Sequence, residues 1–130
     1  MPLKFQPPVA SVVMCDFAGF VAPEMIKVRP VVILARNRCN SSLVTVVPLS
    51  TTAPLKLEPH HHELSQNPLP DKLAVTCWAK CDMVVTVALH RLDRYKFRDA
   101  SGARTYAVLN LDPGDFQAIK GCVAAALRLP

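Results

Sequence analysis

The chain has 130 residues, of which 51% are hydrophobic and 19% are charged, and its formal net charge is +5. This length suits one domain with one core, and the composition excludes general disorder. The positive charge favours polyanionic partners such as RNA, but it indicates neither a fold nor a reaction.

Lys, Arg, Asp or Pro interrupts every apolar run, so no segment approaches the roughly 20 apolar residues that cross a bilayer. The N-terminus carries Lys4 but no apolar segment with a cleavage site, which argues against a secretory signal. The five cysteines are an odd number without short paired spacing: Cys15, Cys39, Cys77, Cys81 and Cys122. We therefore expect a soluble cytoplasmic protein with free thiols and no membrane partner.

Prolines mark the beginning of the chain. Residues 1–9 contain Pro2, Pro7 and Pro8 and predict an extended leader, followed by a single domain over residues 10–130. Short segments rich in β-branched residues then predict the first three strands: Ser11–Phe17, Val28–Ala35 and Leu43–Leu49.

The segment from Thr51 to Asp71 carries four prolines among polar residues and predicts a long loop, with one edge strand near Leu55–Leu57. Long loops in compact domains are often functional. Residues Leu73–Ala88 predict one or two strands and Thr105–Leu109 another. Sequential strands without intervening helices favour an antiparallel, partly closed barrel.

The C-terminal segment has a helical pattern. Asp112 is a candidate N-cap, Pro113 suits the first helical position and Asp115 places negative charge in the first turn, so a helix is predicted from Pro113 to about Leu127. Its expected buried stripe is Phe116, Ile119, Val123, Ala126 and Leu127, with Lys120 and Arg128 exposed. The expected fold is mainly β, a small α+β chain whose helix caps the barrel.

The segment Cys77–Met83 is the most informative for chemistry. Side chains alternate along a strand, so Trp78, Lys80 and Asp82 would share one face. RNA cleavage through the ribose 2′-hydroxyl needs a base, an acid and positive charge, and Asp82 and Lys80 can supply two of these. An ordinary exposed ion pair beside a surface tryptophan is the alternative interpretation.

Other polar residues offer phosphate contacts. Arg29 opens the second strand, where its guanidinium can clamp a phosphate, although a lone arginine is more often solvated. Ser50 and Thr51 follow the third strand and offer hydroxyls to a phosphate or, as the residues alone favour, to the turn backbone.

Three adjacent histidines raise a zinc hypothesis, because His60, His61 and His62 precede Glu63. Adjacent residues cannot all converge on one ion, and Cys77 and Cys81 lie outside the tight C-x2-C spacing of zinc sites. We expect no metal and no other cofactor.

Positive charge concentrates after the Cys77–Met83 segment, with Tyr95 and Phe97 between the cations. The basic side chains are His90, Arg91, Arg94, Lys96, Arg98 and Arg104. Basic grooves with aromatic platforms bind single strands, and a solvated hairpin face diluted by Asp93 and Asp99 explains the pattern equally well.

The order of these motifs resembles the MazF/PemK endoribonuclease toxins, in particular their YifN-like PemK branch, over nearly the whole chain. The Lys80-Cys81-Asp82 triplet is similar to the Arg-Cys-Asp triplet of PemK-type toxins. The other landmarks are Cys15-Asp16-Phe17, Pro23-Glu24-Met25, Arg29-Pro30-Val31-Val32, Val47-Pro48-Leu49-Ser50-Thr51-Thr52 and His90-Arg91-Leu92-Asp93.

The resemblance implies an SH3-like barrel that forms a homodimer, with an RNA groove across the interface and a small antitoxin protein as partner. It implies a metal-independent cut of single-stranded RNA that leaves a 2′,3′-cyclic phosphate and a 5′-hydroxyl. Asp82 would be the general base, Lys80 the acid or charge stabiliser, and Arg29 the ligand of the scissile phosphate. Further RNA contacts are expected from Glu24, Ser50, Thr51, Trp78, His90, Arg91 and Arg94.

Two positions depart from the pattern of the family. Lys80 replaces the PemK arginine and lacks its planar fork of donors, and Pro23 stands where some PemK members have a histidine. These departures leave open a non-enzymatic barrel that binds RNA or a protein partner, either as gyrase-poisoning toxins do or as a catalytically decayed relative.

Overall fold

The computed structural model describes residues 2–130, so residue 1 of the predicted leader lies outside the described part of the chain. Within that part, ten strands precede one α-helix, α1 (Pro113–Leu127). The strands are β1 (Ser11–Cys15), β2 (Arg29–Arg36), β3 (Leu43–Ser50), β4 (His61–Glu63), β5 (Trp78–Lys80), β6 (Val85–Ala88), β7 (Leu92–Asp93), β8 (Tyr95–Arg98), β9 (Arg104–Ala107) and β10 (Leu109–Asn110). No helix in residues 2–130 is long and apolar enough to cross a membrane.

The main sheet is antiparallel and has the strand order β10-β1-β2-β3-β5-β4. Strand β6 also pairs with β3, strand β7 pairs with β1, and β8 and β9 form a separate hairpin. Strand β3 therefore pairs with two strands along the same edge, with β6 along its first half and with β5 at its end. This split positions β5, which carries the residues of the predicted site, at the end of the central strand.

Both faces of the central strands are covered. The adjacent residues Val12 and Val13 on β1 point to opposite faces, and each is 0% exposed. Val12 belongs to a cluster with Ile119 of the helix, whereas Val13 packs in a second cluster with Phe17 and Leu92. Burial on both faces explains why β1, β2 and β3 are almost continuous runs of β-branched residues.

The first three predicted strands are confirmed within one or two residues at each end. The predicted edge strand at Leu55–Leu57 is wrong, because Leu55 is fully exposed and the edge strand is β4, paired with β5. Apolar residues suggested the earlier position. The residues of β4 are polar, and they form a strand because they pair with β5, where His61 lies opposite Lys80 and Glu63 lies opposite Trp78.

The predicted helix is confirmed at both ends. The Asp112 side chain accepts a hydrogen bond from the Asp115 N–H, and Pro113 lies at the first helical position. Phe116, Ile119 and Val123 are buried as expected. Leu127 is 53% exposed, so its predicted burial is wrong; the helix has passed the edge of the core at its last turn.

Residues of the predicted leader are fixed to the sheet. The Leu3 N–H donates to the carbonyl of Leu92 over 2.8 Å, and the Gln6 side chain donates to the carbonyl of Leu43 over 2.8 Å. The boundary between leader and domain stays a prediction. All cysteines are free thiols, as expected, and burial raises the pKa of Cys81 to about 12, which keeps this thiol protonated.

Candidate functional site

Asp82 lies in a 3-10 turn over Cys81–Met83 and not on a strand, because β5 ends at Lys80. The prediction of one continuous strand through Asp82 is therefore wrong. The alternation of burial nevertheless extends into the turn, since Cys81 is 0% exposed while the Asp82 side chain is 49% exposed. The Cys81 Sγ lies 3.8 Å from the Ile119 carbonyl, so the helix holds this turn and presents Asp82 outward.

A cavity of about 330 Å³ lies between this turn and the loop after β1. Asp82 and Glu24 are its acidic lining residues, and the rest of its wall includes Phe17, Phe20 and Pro23. One Glu24 oxygen accepts the Val21 N–H over 2.9 Å, which fixes the side chain within its own loop. We refer to this space as the Asp82 cavity.

The three histidines lie directly beside this site. His60 Nε2 is 3.7 Å from Asp82 Oδ2, and the rings of His60 and His61 are 4.3 Å apart. His61 Nδ1 accepts the Glu58 N–H over 3.0 Å. Burial, the neighbouring His60 and Lys80 lower the pKa of His61, so its ring is neutral over a wider pH range.

His62 has a different environment from its neighbours. Its Nε2 donates to Asp115 Oδ1 over 3.0 Å, and the same carboxylate accepts the Ser65 N–H and, over 2.8 Å, the Ser65 hydroxyl. Asp115 is only 4% exposed, in the first turn of the helix. This cluster anchors the end of β4 to α1. Among residues 2–130, no three His, Cys, Asp or Glu side chains could hold a metal ion together.

Arg29, Ser50 and Thr51 line a second cavity, of about 180 Å³, which also contains Asn67 and Lys72. We refer to it as the Arg29 cavity. Among the described residues, Arg29 Nε is buried without a hydrogen-bond partner. The Ser50 hydroxyl accepts the Thr52 N–H over 3.1 Å, so its role in the turn is confirmed. A buried donor beside hydroxyls and a lysine suits an anionic ligand.

Strand β5 connects the two cavities. Cys77, just before the strand, lines the Arg29 cavity, and Asp82 in the turn after the strand lines the other. Between them Trp78 lies opposite Ser50, and Lys80 lies opposite His61. The three strand residues span roughly 10 Å. Arg29 and Asp82 thus line different cavities, one before and one after β5.

The sequence profile of the PemK-like, MazF-like toxins of type II toxin-antitoxin systems matches residues 9–126. The chain belongs to this toxin family. It is also 33% identical to the protein YifN of Escherichia coli (strain K12), over 82% of this chain and 79% of YifN. The predicted family is therefore confirmed.

Solved structures of toxins share the fold of this PemK-like chain. MazF from Deinococcus radiodurans matches with a TM-score of 0.66 at 17% identity, over 97% of this chain and 100% of that one. An endoribonuclease from a mycobacterial species, in complex with its cognate antitoxin, matches with a TM-score of 0.64 at 21% identity, over 96% and 98% of the two chains. These likenesses confirm the MazF-type fold, mainly β with a C-terminal helix.

The hairpin of β8 and β9 carries several of the predicted basic residues of this PemK-like chain, and it differs from its prediction in one respect. Tyr95 is 7% exposed and stacks on Phe97 at 5.9 Å, so these rings face inward. Tyr106 on β9 is the exposed ring, 43% accessible, with the Arg94 guanidinium 5.3 Å and the Lys96 ammonium 5.7 Å from its centre. The expected aromatic platform exists, but a residue outside the predicted set supplies it.

The remaining predicted RNA contacts are dispersed. Trp78 is half-buried beside Ser50, whereas His90 is exposed. Arg91 Nη1 donates to the carbonyls of Asp16 and Ala18 over 2.9 and 2.7 Å, so this side chain braces the loop after β1. Sequence reasoning missed the position of His60, since only the pairing of β4 with β5 brings it to Asp82.

Proposed function

We propose that this PemK-like chain is a metal-independent endoribonuclease toxin that cuts single-stranded RNA. The ribose 2′-hydroxyl attacks the adjacent phosphorus, and the products are a 2′,3′-cyclic phosphate and a 5′-hydroxyl. Two observations carry the proposal: the exposed Asp82 carboxylate lines one cavity, and the Arg29 Nε, buried without a hydrogen-bond partner among residues 2–130, belongs to a residue that lines another. The substrate itself supplies the nucleophile, so the reaction requires no metal-activated water.

Asp82 acts as the general base in this proposal. Its carboxylate is half-exposed, borders a cavity and forms no hydrogen bond within residues 2–130, so it can reach a ribose hydroxyl. Lys80 lies two residues earlier, and its ammonium offsets the negative charge that develops on the phosphate. Burial raises the pKa of Cys77 to about 11 and that of Cys81 to about 12, so neither thiol competes as a nucleophile.

The Arg29 cavity binds a phosphate of the RNA chain. The Arg29 guanidinium contributes fixed positive charge, and the Ser50 and Thr51 hydroxyls contribute donors. The exposed Tyr106 ring with Arg94 and Lys96 offers a stacking platform to neighbouring nucleotides. We assign Glu24 to the binding surface because it lines the Asp82 cavity, and Trp78 because it lies opposite Ser50, which lines the Arg29 cavity.

We also propose a protein partner, an oligomeric state and a cellular location for this chain. A small antitoxin protein is the expected partner, because the similar mycobacterial endoribonuclease is bound to its cognate antitoxin. We also propose a homodimer that acts in the cytoplasm, where single-stranded RNA is the substrate.

The proposal is tested by incubating a single-stranded RNA of mixed sequence with the purified protein in EDTA. Wild type should produce 2′,3′-cyclic phosphate ends. The Asp82→Ala variant should cleave about 100-fold to 10,000-fold more slowly, since it lacks the base, and Arg29→Ala about 100-fold more slowly. Lys120→Ala, which removes one exposed positive charge from the helix, should cleave as wild type does.

Circular dichroism and thermal melting establish that each variant is folded. A folded wild-type protein that cuts no single-stranded RNA would overturn the ribonuclease proposal. Binding of the same RNA without cleavage, unaffected by Asp82→Ala, would favour a non-enzymatic RNA-binding barrel.

A further inference from the structure

His60 is placed for proton transfer at the same site. Its Nε2 lies 3.7 Å from Asp82 Oδ2, which is close enough for an ion pair and too long for a hydrogen bond. The side chains of His60 and Asp82 are 27% and 49% exposed, so solvent and substrate can reach both. Neither group is therefore locked by the other.

The surrounding segment holds His60 in this position. Strand β4 pairs with β5, which places His61 opposite Lys80, and the Cys122 Sγ lies 3.6 Å from the His61 carbonyl. Two residues further, His62 is bound to the buried Asp115. The chain following His60 is thus fixed to both the sheet and the helix.

The other two histidines are engaged elsewhere. His61 Nδ1 accepts the Glu58 N–H, and His62 Nε2 donates to Asp115. His60 is the member of the three whose ring faces Asp82. The His60 ring lies beside Asp82 and the His61 ring, and Lys80 and Glu58 act on the neighbouring His61.

We propose that His60 is the general acid of the cleavage reaction, with Asp82 as its base; this inference rests on the function proposed above. The Asp82 carboxylate takes the 2′-hydroxyl proton as the 2′-oxygen bonds to phosphorus. The bond from phosphorus to the 5′-oxygen breaks, and the His60 imidazolium protonates that oxygen. Asp82 then holds one extra proton and His60 lacks one, so transfer between them restores the site.

Histidine suits this role better than the neighbouring lysine. An imidazole gains and loses its proton close to neutral pH, whereas a lysine ammonium in water rarely releases one. The two reacting oxygens lie on opposite sides of one phosphorus, so acid and base must reach different oxygens. His60 comes from the residues before β4 and Asp82 from the turn after β5. Lys80 keeps the role of stabilising negative charge on the phosphate.

The test compares two RNA substrates that differ in one atom. One has the natural 5′-oxygen at the cleaved bond, and the other has sulfur at that position, which leaves as a thiolate and needs no proton. His60→Ala should cut the oxygen substrate about 100-fold more slowly than wild type and the sulfur substrate at nearly the wild-type rate. Asp82→Asn should cut both slowly, because both reactions need the base.

Each remaining outcome counts against the inference. If His60→Ala cuts both substrates at the wild-type rate, His60 takes no part in the reaction. If it slows both equally, His60 positions Asp82 or the RNA and is not the acid. In either case wild-type cleavage still supports the ribonuclease proposal. If folded wild type cuts neither substrate, the ribonuclease proposal and this inference are overturned together.

Discussion

Two His–Asp pairs lie close together in this fold and differ in almost every physical respect. His62 donates to Asp115 over 3.0 Å, and Asp115 is 4% exposed with further hydrogen bonds from Ser65. His60 lies 3.7 Å from Asp82, whose side chain is 49% exposed. The histidines are separated by one residue, so the difference comes from the acids and not from the histidine segment.

The environment of the carboxylate decides what each pair can do. Asp115 is saturated by donors, and a buried, hydrogen-bonded charge is costly to disturb. Asp82 forms no such bonds within the described residues, and an exposed ion pair contributes little to stability. Because Asp115 is buried, a substrate cannot reach its carboxylate, and the donors that already bind it leave no oxygen free to take a proton. We therefore propose that the His62–Asp115 pair stabilises the fold and that the His60–Asp82 pair performs the chemistry.

The strongest test of this comparison is to make the same substitution at both acids. Asp115→Asn should lower the free energy of unfolding by about 2–3 kcal/mol, because the amide brings a donor toward Ser65 and His62. Asp82→Asn should change that free energy by less than about 0.5 kcal/mol. Its RNA cleavage should nevertheless fall by about 100-fold or more. Urea unfolding and the cleavage assay in EDTA measure the two effects.

Each variant is the control for the other. Asp115→Asn should be compared with wild type at a temperature where both are folded, so that lost activity is not confused with unfolding. A large loss of stability in Asp82→Asn, or an unchanged stability in Asp115→Asn, would contradict the division of roles.

Acid should weaken the Asp115 cluster selectively. Burial disfavours the charged form of Asp115, but bonds from Ser65 and His62 outweigh it and hold the pKa below the usual 3.8. The unfolded chain therefore binds this proton more readily. The resulting stability is present above pH 3.8 and is lost as the pH falls through the lower, folded value.

This loss is measured as a difference between wild type and Asp115→Asn. Urea unfolding should show a larger difference at about pH 5 than at about pH 3, since the variant has no carboxyl to protonate. Other acids titrate in both proteins and cancel in the comparison. A difference that stays constant or grows in acid would mean that the ionised form of Asp115 is not what stabilises the fold.

Most of the fold could be predicted because local signals agree with it. The β-branched runs of β1, β2 and β3 and the Asp112-Pro113 start of the helix each specify their structure within a few residues. The edge strand β4 could not be predicted, since its sequence has neither an apolar run nor alternation. Its position depends on pairing with β5, which is not a local property.

The sequence indicated several residues of the candidate site, which stay a prediction, but it did not indicate how they are arranged. The alternation of apolar and polar residues along Cys77–Met83 predicted that Asp82 faces outward, and it does so even though the strand ends before it. The separation of Arg29 and Asp82 into two cavities, and the approach of His60 to Asp82, depend on contacts between distant segments. Likewise, Tyr106 rather than Tyr95 became the exposed ring, because the hairpin orientation decides which face packs on the core.

Removing a single hydroxyl should reveal how the stability of the buried pair is divided. Ser65→Ala eliminates the 2.8 Å bond from the Ser65 Oγ to Asp115 but retains the bonds from the backbone N–H and from His62. Asp115 then keeps most of its donors, so the free energy of unfolding should fall by only about 1 kcal/mol. Urea unfolding of Ser65→Ala, Asp115→Asn and the double variant measures whether the effects add. If the two losses in the free energy of unfolding add fully, the hydroxyl stabilises the fold independently of Asp115. If the double variant is as stable as Asp115→Asn, the hydroxyl stabilises the fold only through its bond to Asp115.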